Sequence, residues 1–184
     1  MAPTEQLEIE TKYDVGDDAS LPALRELPGV ARVARPVKLD LEAVYFDTAG
    51  LDLAANKVTL RRRTGGEDDG WHVKFPKSDD ERLEVHHPLG RAVRKVPVAV
   101  VRTVRVHVRD QELIPVVTLN TKRVVHRLLG EDGEVLAELA DDRVTATVEG
   151  GESESWREWE VELVNGDEAL LEAAGEALDR KSVV

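Results

Sequence analysis

Several segments of this chain alternate fully charged side chains with apolar ones, and this pattern constrains the fold more than any other feature. In LEIETKYDV (residues 7–15), Glu8, Glu10 and Lys12 share one face of a predicted strand, while Ile9 lies on the other. The segments VTLRRR, WHVKF, ERLEVH and WREWEVEL repeat the alternation. Ordinary half-buried strands mix Thr, Ser and Gln into the solvated face. A face that is almost entirely charged therefore needs an explanation.

These charges are also sorted by sign within each strand, as in the pairs Arg61/Arg63 and Glu158/Glu160. Like charges two residues apart repel each other unless an opposite charge or a ligand lies between them. An Arg-x-Arg face complements phosphate oxygens, and a Glu-x-Glu face complements a hard cation such as Mg²⁺. For any single pair, a solvated face with cross-strand ion pairs is the more frequent explanation. Only the whole set favours a site for a metal–polyphosphate complex.

The overall charge narrows the classes of partner. The chain has 184 residues, 34% of them charged, and a net charge of −12. A field of this sign repels nucleic acids and anionic membrane surfaces, so neither is expected as a partner. A small polyanion could still bind through a local basic pocket or through divalent cations.

Other site classes find little support. The chain contains no cysteine, so disulfides and thiolate metal sites are excluded. His72, His86 and His87 lack the spacing of a transition-metal site and are interpreted as structural or exposed. Neither a nucleophile elbow nor a glycine-rich phosphate loop before a helix is present. The first residues do not resemble a signal peptide, and no segment has the ~20 apolar residues of a membrane span, so we expect a cytoplasmic protein.

Periodicity and turn residues predict the secondary structure. A short helix capped by Asp18 or Ser20 should end at Pro28, residues 91–114 favour a helix despite many valines, and Asp167 caps a C-terminal helix over 167–180. Strands are predicted over 7–15, 39–50, 57–66, 71–77, 81–90, 115–129, 134–148 and 156–164. The result is an α+β domain whose antiparallel sheet is large enough to curl or close.

An ordered set of motifs resembles one known family. The motifs are Glu8-x-Glu10-x-Lys12, YFDT (45–48), LRRR (60–63), WHVKF with Lys74, Arg82-x-Glu84, TKR (121–123), DDRV (141–144) and REWEVEL (157–163). In this order they resemble the CYTH superfamily, the triphosphate tunnel metalloenzymes, named for adenylyl cyclase class IV and thiamine triphosphatase. The resemblance covers residues 5–165 of a single domain, 1–184. It implies an α+β fold with a closed eight-stranded antiparallel β-barrel, or tunnel, a charged interior and short helices outside.

The resemblance also implies roles for the charged residues. Glu8, Glu10, Glu158 and Glu160 would hold Mg²⁺ or Mn²⁺, and Lys12, Arg61, Arg63, Lys74, Arg82 and Arg123 would bind the triphosphate. Glu84 and Asp142 would complete the ion-paired lining, with Asp142 favoured over Asp141. Lys12, Glu8 and Glu10 are the candidate catalytic residues. Thr121 stands where the family often has a second basic residue, and Lys122 could replace it only after a shift of strand register.

The implied function is metal-dependent hydrolysis of a triphosphate, with inorganic tripolyphosphate the favoured substrate. The alternatives are hydrolysis of nucleoside or thiamine triphosphates, cyclisation of ATP as in class IV adenylyl cyclases, and non-catalytic binding of polyphosphate. The chain resembles in particular the actinobacterial CYTH domains that are often fused to a CHAD domain, which makes a CHAD domain a possible partner. A homodimer is also possible.

Overall fold

The computed structural model describes residues 2–181. Nine strands occur in this range: β1 (Thr4–Val15), β2 (Arg32–Val33), β3 (Val37–Asp47), β4 (Thr59–Thr64), β5 (Gly70–Pro76), β6 (Glu81–His87), β7 (Ile114–Leu129), β8 (Val135–Val148) and β9 (Ser153–Leu163). The α-helices in the same range are α1 (Asp52–Ala55), α2 (Val98–Val108) and α3 (Glu168–Asp179), and a 3₁₀ turn spans Leu24–Glu26. None of these helices is long and apolar enough to cross a membrane.

The strands form a closed antiparallel β-barrel, as the resemblance implied, with the short helices on its outside. Their order is β2-β7-β3-β4-β5-β6-β1-β9-β8, and β8 also pairs with β7. Eight of the described strands are long, and β2 contributes two residues at the end of β7. The predicted α+β class and the eight-stranded closure are therefore confirmed.

The packing divides the described chain into two compact units. The first unit comprises residues up to Leu7, Asp40–Asn120 and Thr145–Glu154, and the second comprises Glu8–Leu39, Thr121–Val144 and the residues from Ser155 onward. Each unit combines segments that are distant in sequence, because antiparallel strands bring remote residues into register.

The first unit buries its apolar side chains between strands and helix α2. Val100, Val104 and Val108 recur every four residues along one face of this helix and are almost completely buried. They pack in one cluster with Trp71 of β5 and Leu60 of β4. The predicted helix within 91–114 is confirmed, since this helical spacing of the valines outweighs their β propensity.

Helix α3 plays the same part in the second unit. Its residues Leu170, Leu171, Ala174 and Leu178 pack with Trp159 of β9. Asp167 caps the helix as predicted, because its carboxylate accepts a hydrogen bond of 2.9 Å from the amide of Leu170.

The charged faces of the strands lie opposite these apolar clusters. In β1, Glu8 is buried with 8% of its surface exposed, whereas Leu7 is 46% exposed. Ile9 and Tyr13, on the other face of the strand, pack against the apolar cluster under α3. The apolar residues thus lie beneath a helix, and the charges take the opposite side of the sheet.

Two local predictions need correction. The expected helix before Pro28 is only the 3₁₀ turn, without a side-chain cap, because Pro28 favours the extended conformation observed at Leu27. The second correction adds helix α1, for which the sequence pattern predicts no helix. It forms because the Asp47 carboxylate accepts hydrogen bonds from the amides of Leu53 and Ala54, at 2.9 and 3.0 Å. Asp47, in the YFDT motif, is therefore part of a structural cap.

Candidate functional site

Cations of the first unit gather on the charged face of β4, β5 and β6. Strand register places Arg61 beside His72, and Lys74 beside Glu84. Arg63 lies two residues beyond Arg61 on the same face of β4. We call Arg61, Arg63, His72, Lys74 and Glu84 the basic cluster.

Two acidic residues connect the members of the basic cluster. Glu84 accepts from His72 Nδ1 at 3.0 Å with one carboxylate oxygen, and its other oxygen lies 3.7 Å from Lys74 Nζ. Asp68, in the β4–β5 loop, lies 3.6 Å from Arg63, and its backbone carbonyl lies 2.7 Å from His72 Nε2. Lys74 and Arg63 are therefore each paired with a carboxylate, whereas Arg61 contacts the Tyr45 hydroxyl at 3.4 Å and His72 Nδ1 at 3.5 Å.

The electrostatics of the basic cluster favour the ionised forms of Glu84 and Arg61. Burial alone would raise the pKa of Glu84, but the hydrogen bond from His72 and the positive charges of His72, Lys74 and Arg61 lower it to about 2. For Arg61, burial opposes the charged form, yet Tyr45, Glu84 and Asp68 together raise its pKa above the usual value. The carboxylate and the guanidinium are both charged at neutral pH.

Arg82 makes a different set of contacts. Its guanidinium donates to the backbone carbonyls of Ser78 and Glu81, at 3.0 and 3.1 Å. Its strand partner is Pro76, two residues beyond Lys74. Arg82 therefore shares the face of β6 with Glu84, but it donates its hydrogen bonds to carbonyls at the β5–β6 turn.

Carboxylates of the second unit gather on β1 and β9. Register pairs Glu10 with Glu162 and Lys12 with Glu160. Oxygen atoms of Glu10, Glu160 and Glu162 all lie within 4.8 Å of one another. We call these three residues the carboxylate cluster.

Two cations contact the carboxylate cluster through Glu160. Lys12 Nζ lies 3.4 Å from Glu160 Oε2, and an Arg123 nitrogen lies 3.8 Å from the same oxygen. Arg123 also donates two hydrogen bonds, of 2.8 and 2.7 Å, to the buried Asp142. Asp141 instead accepts from Arg157, also through two hydrogen bonds. Asp142, rather than its neighbour, thus shares the environment of Arg123.

The other two predicted metal ligands lie on the same strands. Glu8 is buried on β1, two residues before Glu10. Glu158 lies opposite Asp14, and one of its oxygens accepts a hydrogen bond of 2.9 Å from Trp156 Nε1. The structure thus brings Glu10 and Glu160 together with Glu162, and gives Glu158 a tryptophan partner.

The carboxylate cluster suits a hard divalent cation. All its donors are carboxylate oxygens, the ligands that Mg²⁺ and Mn²⁺ prefer. Glu8 and Glu10 make other polar interactions, but the Oε2 atom of each is buried with no hydrogen-bond donor. Buried carboxylate oxygens of this kind are the atoms that a bound cation would satisfy.

Sequence reasoning did not assign His72, Asp68 and Glu162 to a site. For His72 and Glu162 a signal existed, since each alternates in phase with predicted site residues of its strand. For Asp68 there was no such signal, because a loop residue has no strand periodicity.

At the TKR motif, Thr121 is half-buried and Lys122 is exposed, so Lys122 lies on the face opposite Arg123.

Solved structures share the fold at low sequence identity. A proposed adenylate cyclase (bh2851) from Bacillus halodurans superposes with a TM-score of 0.64 and 18% identity, covering 98% of this chain and 92% of its own. HpAC1 from Hippeastrum, a proposed adenylyl cyclase with a dominant triphosphatase activity, gives a TM-score of 0.51 and 21% identity, covering 95% and 87%.

Sequence comparison finds longer relatives and a family. Uncharacterized protein MT2285 and Uncharacterized protein Rv2226, from the CDC 1551 and H37Rv strains of Mycobacterium tuberculosis, are each 42% identical over 176 residues. These residues are 90% of this chain and 34% of each relative, so the chain spans about a third of their length. The CYTH domain matches residues 6–183. The chain therefore belongs to the CYTH domain family.

Proposed function

We propose that this chain is a divalent-metal-dependent hydrolase of a triphosphate, with inorganic tripolyphosphate as the preferred substrate. The observation that carries this proposal is the carboxylate cluster with Lys12 and Arg123 in contact with Glu160. Oxygen donors for a hard cation, next to an ammonium and a guanidinium, form an environment suited to a metal–polyphosphate complex.

The cations of the basic cluster would bind phosphate oxygens. Arg61 and Arg63 offer planar donor groups that can contact two oxygens at once, whereas Lys74 offers a point charge. Glu84 and Asp68 hold these groups in place before an anion arrives. Catalysis of phosphoryl transfer consists mainly of such positioning and of charge neutralisation.

The metal would be held by Glu10 and Glu160, together with Glu162 or with the predicted ligands Glu8 and Glu158. A bound Mg²⁺ or Mn²⁺ supplies charge neutralisation at phosphate oxygens and lowers the pKa of water. No side chain of the chain is then required as a nucleophile.

Lys12 contributes as a cation in this proposal. Its ammonium group lies 3.4 Å from Glu160, and a cation in this place suits a phosphate oxygen better than the role of base. A nearby carboxylate is the better acceptor for the proton of the attacking water.

The aromatic residues favour an inorganic substrate over a nucleotide. Trp71, Trp159 and Phe46 are buried in the apolar clusters, and Tyr13 and Phe75 pack against those clusters. Tyr45 accepts a hydrogen bond from Arg61, and Trp156 donates one to Glu158. These are all the Phe, Tyr and Trp rings of the chain, so few of these rings are placed to stack on a base. The dominant triphosphatase activity of the Hippeastrum neighbour is in line with hydrolysis rather than cyclisation.

A substrate panel tests the proposal. Phosphate release is measured with Mg²⁺ or Mn²⁺ from tripolyphosphate, ATP, GTP, thiamine triphosphate, pyrophosphate and long-chain polyphosphate, and cyclic AMP formation from ATP is measured in parallel. We expect tripolyphosphate to be the best substrate. Faster release from a nucleotide or from thiamine triphosphate would refute that preference, and no release from any compound would refute the hydrolase.

One variant separates hydrolysis from binding alone. Glu160→Gln removes a charge from the carboxylate cluster and should lower kcat by a factor of about 100 or more while tripolyphosphate still binds. Glu154→Gln is the matched control, because Glu154 lies on the same strand but is exposed. Binding of tripolyphosphate without hydrolysis by the wild type and both variants would favour a non-catalytic polyphosphate-binding module, whereas full hydrolysis by Glu160→Gln would refute Glu160 as a metal ligand.

A further inference from the structure

The exposed side of helix α2 combines arginines with exposed valines. Arg102, Arg105 and Arg109 follow one another at intervals of three and four residues, which places them on one stripe of the helix. Val98 and Val106 lie beside this stripe and are 64% and 79% exposed. We call these five residues the α2 face. It lies opposite the buried valines with which the helix packs on the strands.

The α2 face belongs to a segment that is rich in cations and contains no anion. Residues 91–109 include six Arg and Lys residues and no Asp or Glu, although the whole chain has 37 acidic and 25 basic residues. One of the six, Arg94, pairs with Glu149 at 2.8 Å. The other five make no ion pair with any residue between 2 and 181: Arg91, Lys95, Arg102, Arg105 and Arg109.

This arrangement of cations is unfavourable for the helix by itself. Arg102 and Arg105 are three residues apart, and Arg105 and Arg109 are four apart, so each pair repels. Lys95 comes two residues before the N-cap Pro97, where the positive end of the helix dipole disfavours a cation, and the first turn has no acidic residue. The dipole favours cations only in the last turn. An anionic group bound to the α2 face would relieve the repulsion.

The two exposed valines indicate which kind of anion suits the face. Phosphate groups make no use of an apolar side chain, whereas protein interfaces combine arginine with apolar contacts. A nucleic acid or a membrane would also approach the other surfaces of a chain whose net charge is −12, and these surfaces repel it. A short peptide segment covers only the face that it binds. An acidic amphipathic helix offers both carboxylates for arginine and aliphatic side chains for valine.

We propose that the α2 face is a docking surface for an acidic amphipathic segment of another protein. The carboxylates of this segment accept hydrogen bonds from the three arginines, and its aliphatic side chains cover Val98 and Val106. The inference goes beyond the proposed hydrolysis and does not depend on it, because α2 contributes no residue to the basic cluster or to the carboxylate cluster.

The first test uses a fluorescein-labelled synthetic peptide that repeats the sequence LEELEEE, so that leucines lie on one face of a helix and glutamates on the other. A companion peptide has serine in place of every leucine. We expect fluorescence anisotropy to show that the leucine peptide binds, and that the serine peptide binds at least about fivefold more weakly. Added salt should weaken the binding. No binding of the leucine peptide, or equal affinity of the two peptides, would overturn the inference.

The second test reverses charges on the α2 face. The double variant Arg102→Glu/Arg105→Glu should weaken binding of the leucine peptide about tenfold or more. Arg32→Glu/Arg35→Glu is the matched control, because it changes the net charge equally at two exposed arginines with the same spacing. The control should change the affinity less than about twofold. Equal losses in the two variants would mean that net charge alone governs binding, which would overturn the inference.

The third test locates the peptide without any variant. Amide chemical shifts of the wild-type protein are followed by NMR during titration with the leucine peptide. The largest changes should occur within residues 98–109, and changes confined to other residues would overturn the inference. If Arg102→Glu/Arg105→Glu does not fold, as judged by circular dichroism, these chemical shifts decide.

A competition experiment distinguishes the kinds of anionic partner. Long-chain polyphosphate, duplex DNA and vesicles of phosphatidylserine and phosphatidylcholine are each added to the complex of the protein with the labelled leucine peptide. At equal concentrations of negative charge, each should displace this peptide less effectively than the unlabelled leucine peptide does. More effective displacement by any of the three would overturn the assignment of the α2 face to a protein partner.

Discussion

The basic cluster and the carboxylate cluster both bring like charges close together, positive charges in the first and negative charges in the second. Each places like charges on one face of adjacent strands, an arrangement that repels unless it is compensated. In the basic cluster, Glu84 pairs with Lys74 at 3.7 Å and Asp68 pairs with Arg63 at 3.6 Å. In the carboxylate cluster, Lys12 and Arg123 both meet the single residue Glu160. Carboxylates thus separate the cations of the first cluster, whereas in the second cluster three carboxylates bring oxygen atoms within 4.8 Å of one another, an arrangement that suits a further cation.

The largest expected effect concerns the buried ion pair that flanks the carboxylate cluster. Arg123→Met leaves Asp142, which is 2% exposed, without its bidentate partner. An uncompensated buried carboxylate should lower the free energy of unfolding by about 3 kcal/mol in urea titrations. Arg127→Met on the same strand is the control, because its pair with Glu138 is partly exposed, with 27% and 35% of the side chains accessible. This control substitution should lower the free energy of unfolding by less than about 1 kcal/mol. Equal losses of unfolding free energy in the two variants would contradict the difference between the buried and the exposed ion pair.

The next largest effect is the contribution of Glu84 to the free energy of unfolding at acidic pH. Its pKa of about 2 lies below its ordinary value of 4.5, so the ionised form is stabilised by folding. That contribution, about 3 kcal/mol, is fully present above pH 4.5 and is lost as the pH falls towards 2. The difference in unfolding free energy between wild type and Glu84→Gln should therefore shrink over this range. A difference that stays constant from pH 5 to pH 2 would refute the compensation of the basic cluster by Glu84.

A smaller effect, on Mn²⁺ affinity, tests which glutamates of β9 belong to the carboxylate cluster. Glu162 contributes an oxygen to the cluster, whereas one oxygen of Glu158 is engaged by Trp156. Glu162→Gln should weaken Mn²⁺ binding about tenfold, and Glu158→Gln less than about threefold, in calorimetric titrations. The reverse order would favour Glu158, the ligand that the family resemblance implies, over Glu162.

The smallest effect separates stability from site chemistry. Asp167→Ala removes the hydrogen bond that caps α3 and should cost about 1 kcal/mol of unfolding free energy. Mn²⁺ affinity should not change, because the helix lies on the apolar face of the strands. Glu168→Ala, one residue further on, lacks the capping contact and serves as the control. Loss of Mn²⁺ affinity in Asp167→Ala would show that the carboxylate cluster depends on the packing of α3.

Much of the fold could be predicted because the alternation has the period of a strand. The charges of β1 and β9 identify their common face without any knowledge of their partners, and the recurrence of valines in α2 does the same for a helix. Elements that depend on distant contacts could not be found this way. Strand β2 is too short to show a period, and α1 is capped by Asp47, which belongs to the preceding strand.

The composition of the candidate site depended on register. The alternation of β9 places Glu158, Glu160 and Glu162 on one face but does not indicate which of them meets Glu10; the pairing of β1 with β9 puts Glu162 there. His72 likewise meets its polar partners only because β6 brings Glu84 alongside and the loop brings Asp68. The alternation of side chains along a strand is determined by the local sequence. The residues that each side chain contacts depend instead on how the strands pair when the sheet closes.

Phosphorus-31 NMR of tripolyphosphate during incubation with the wild-type protein and Mg²⁺ or Mn²⁺ tests the central claim most directly. Our account predicts that the tripolyphosphate signals are replaced by those of orthophosphate and pyrophosphate in equal molar amounts, and that a chelator stops the reaction. Tripolyphosphate that persists unchanged with either metal, under conditions in which the protein is folded, would contradict it.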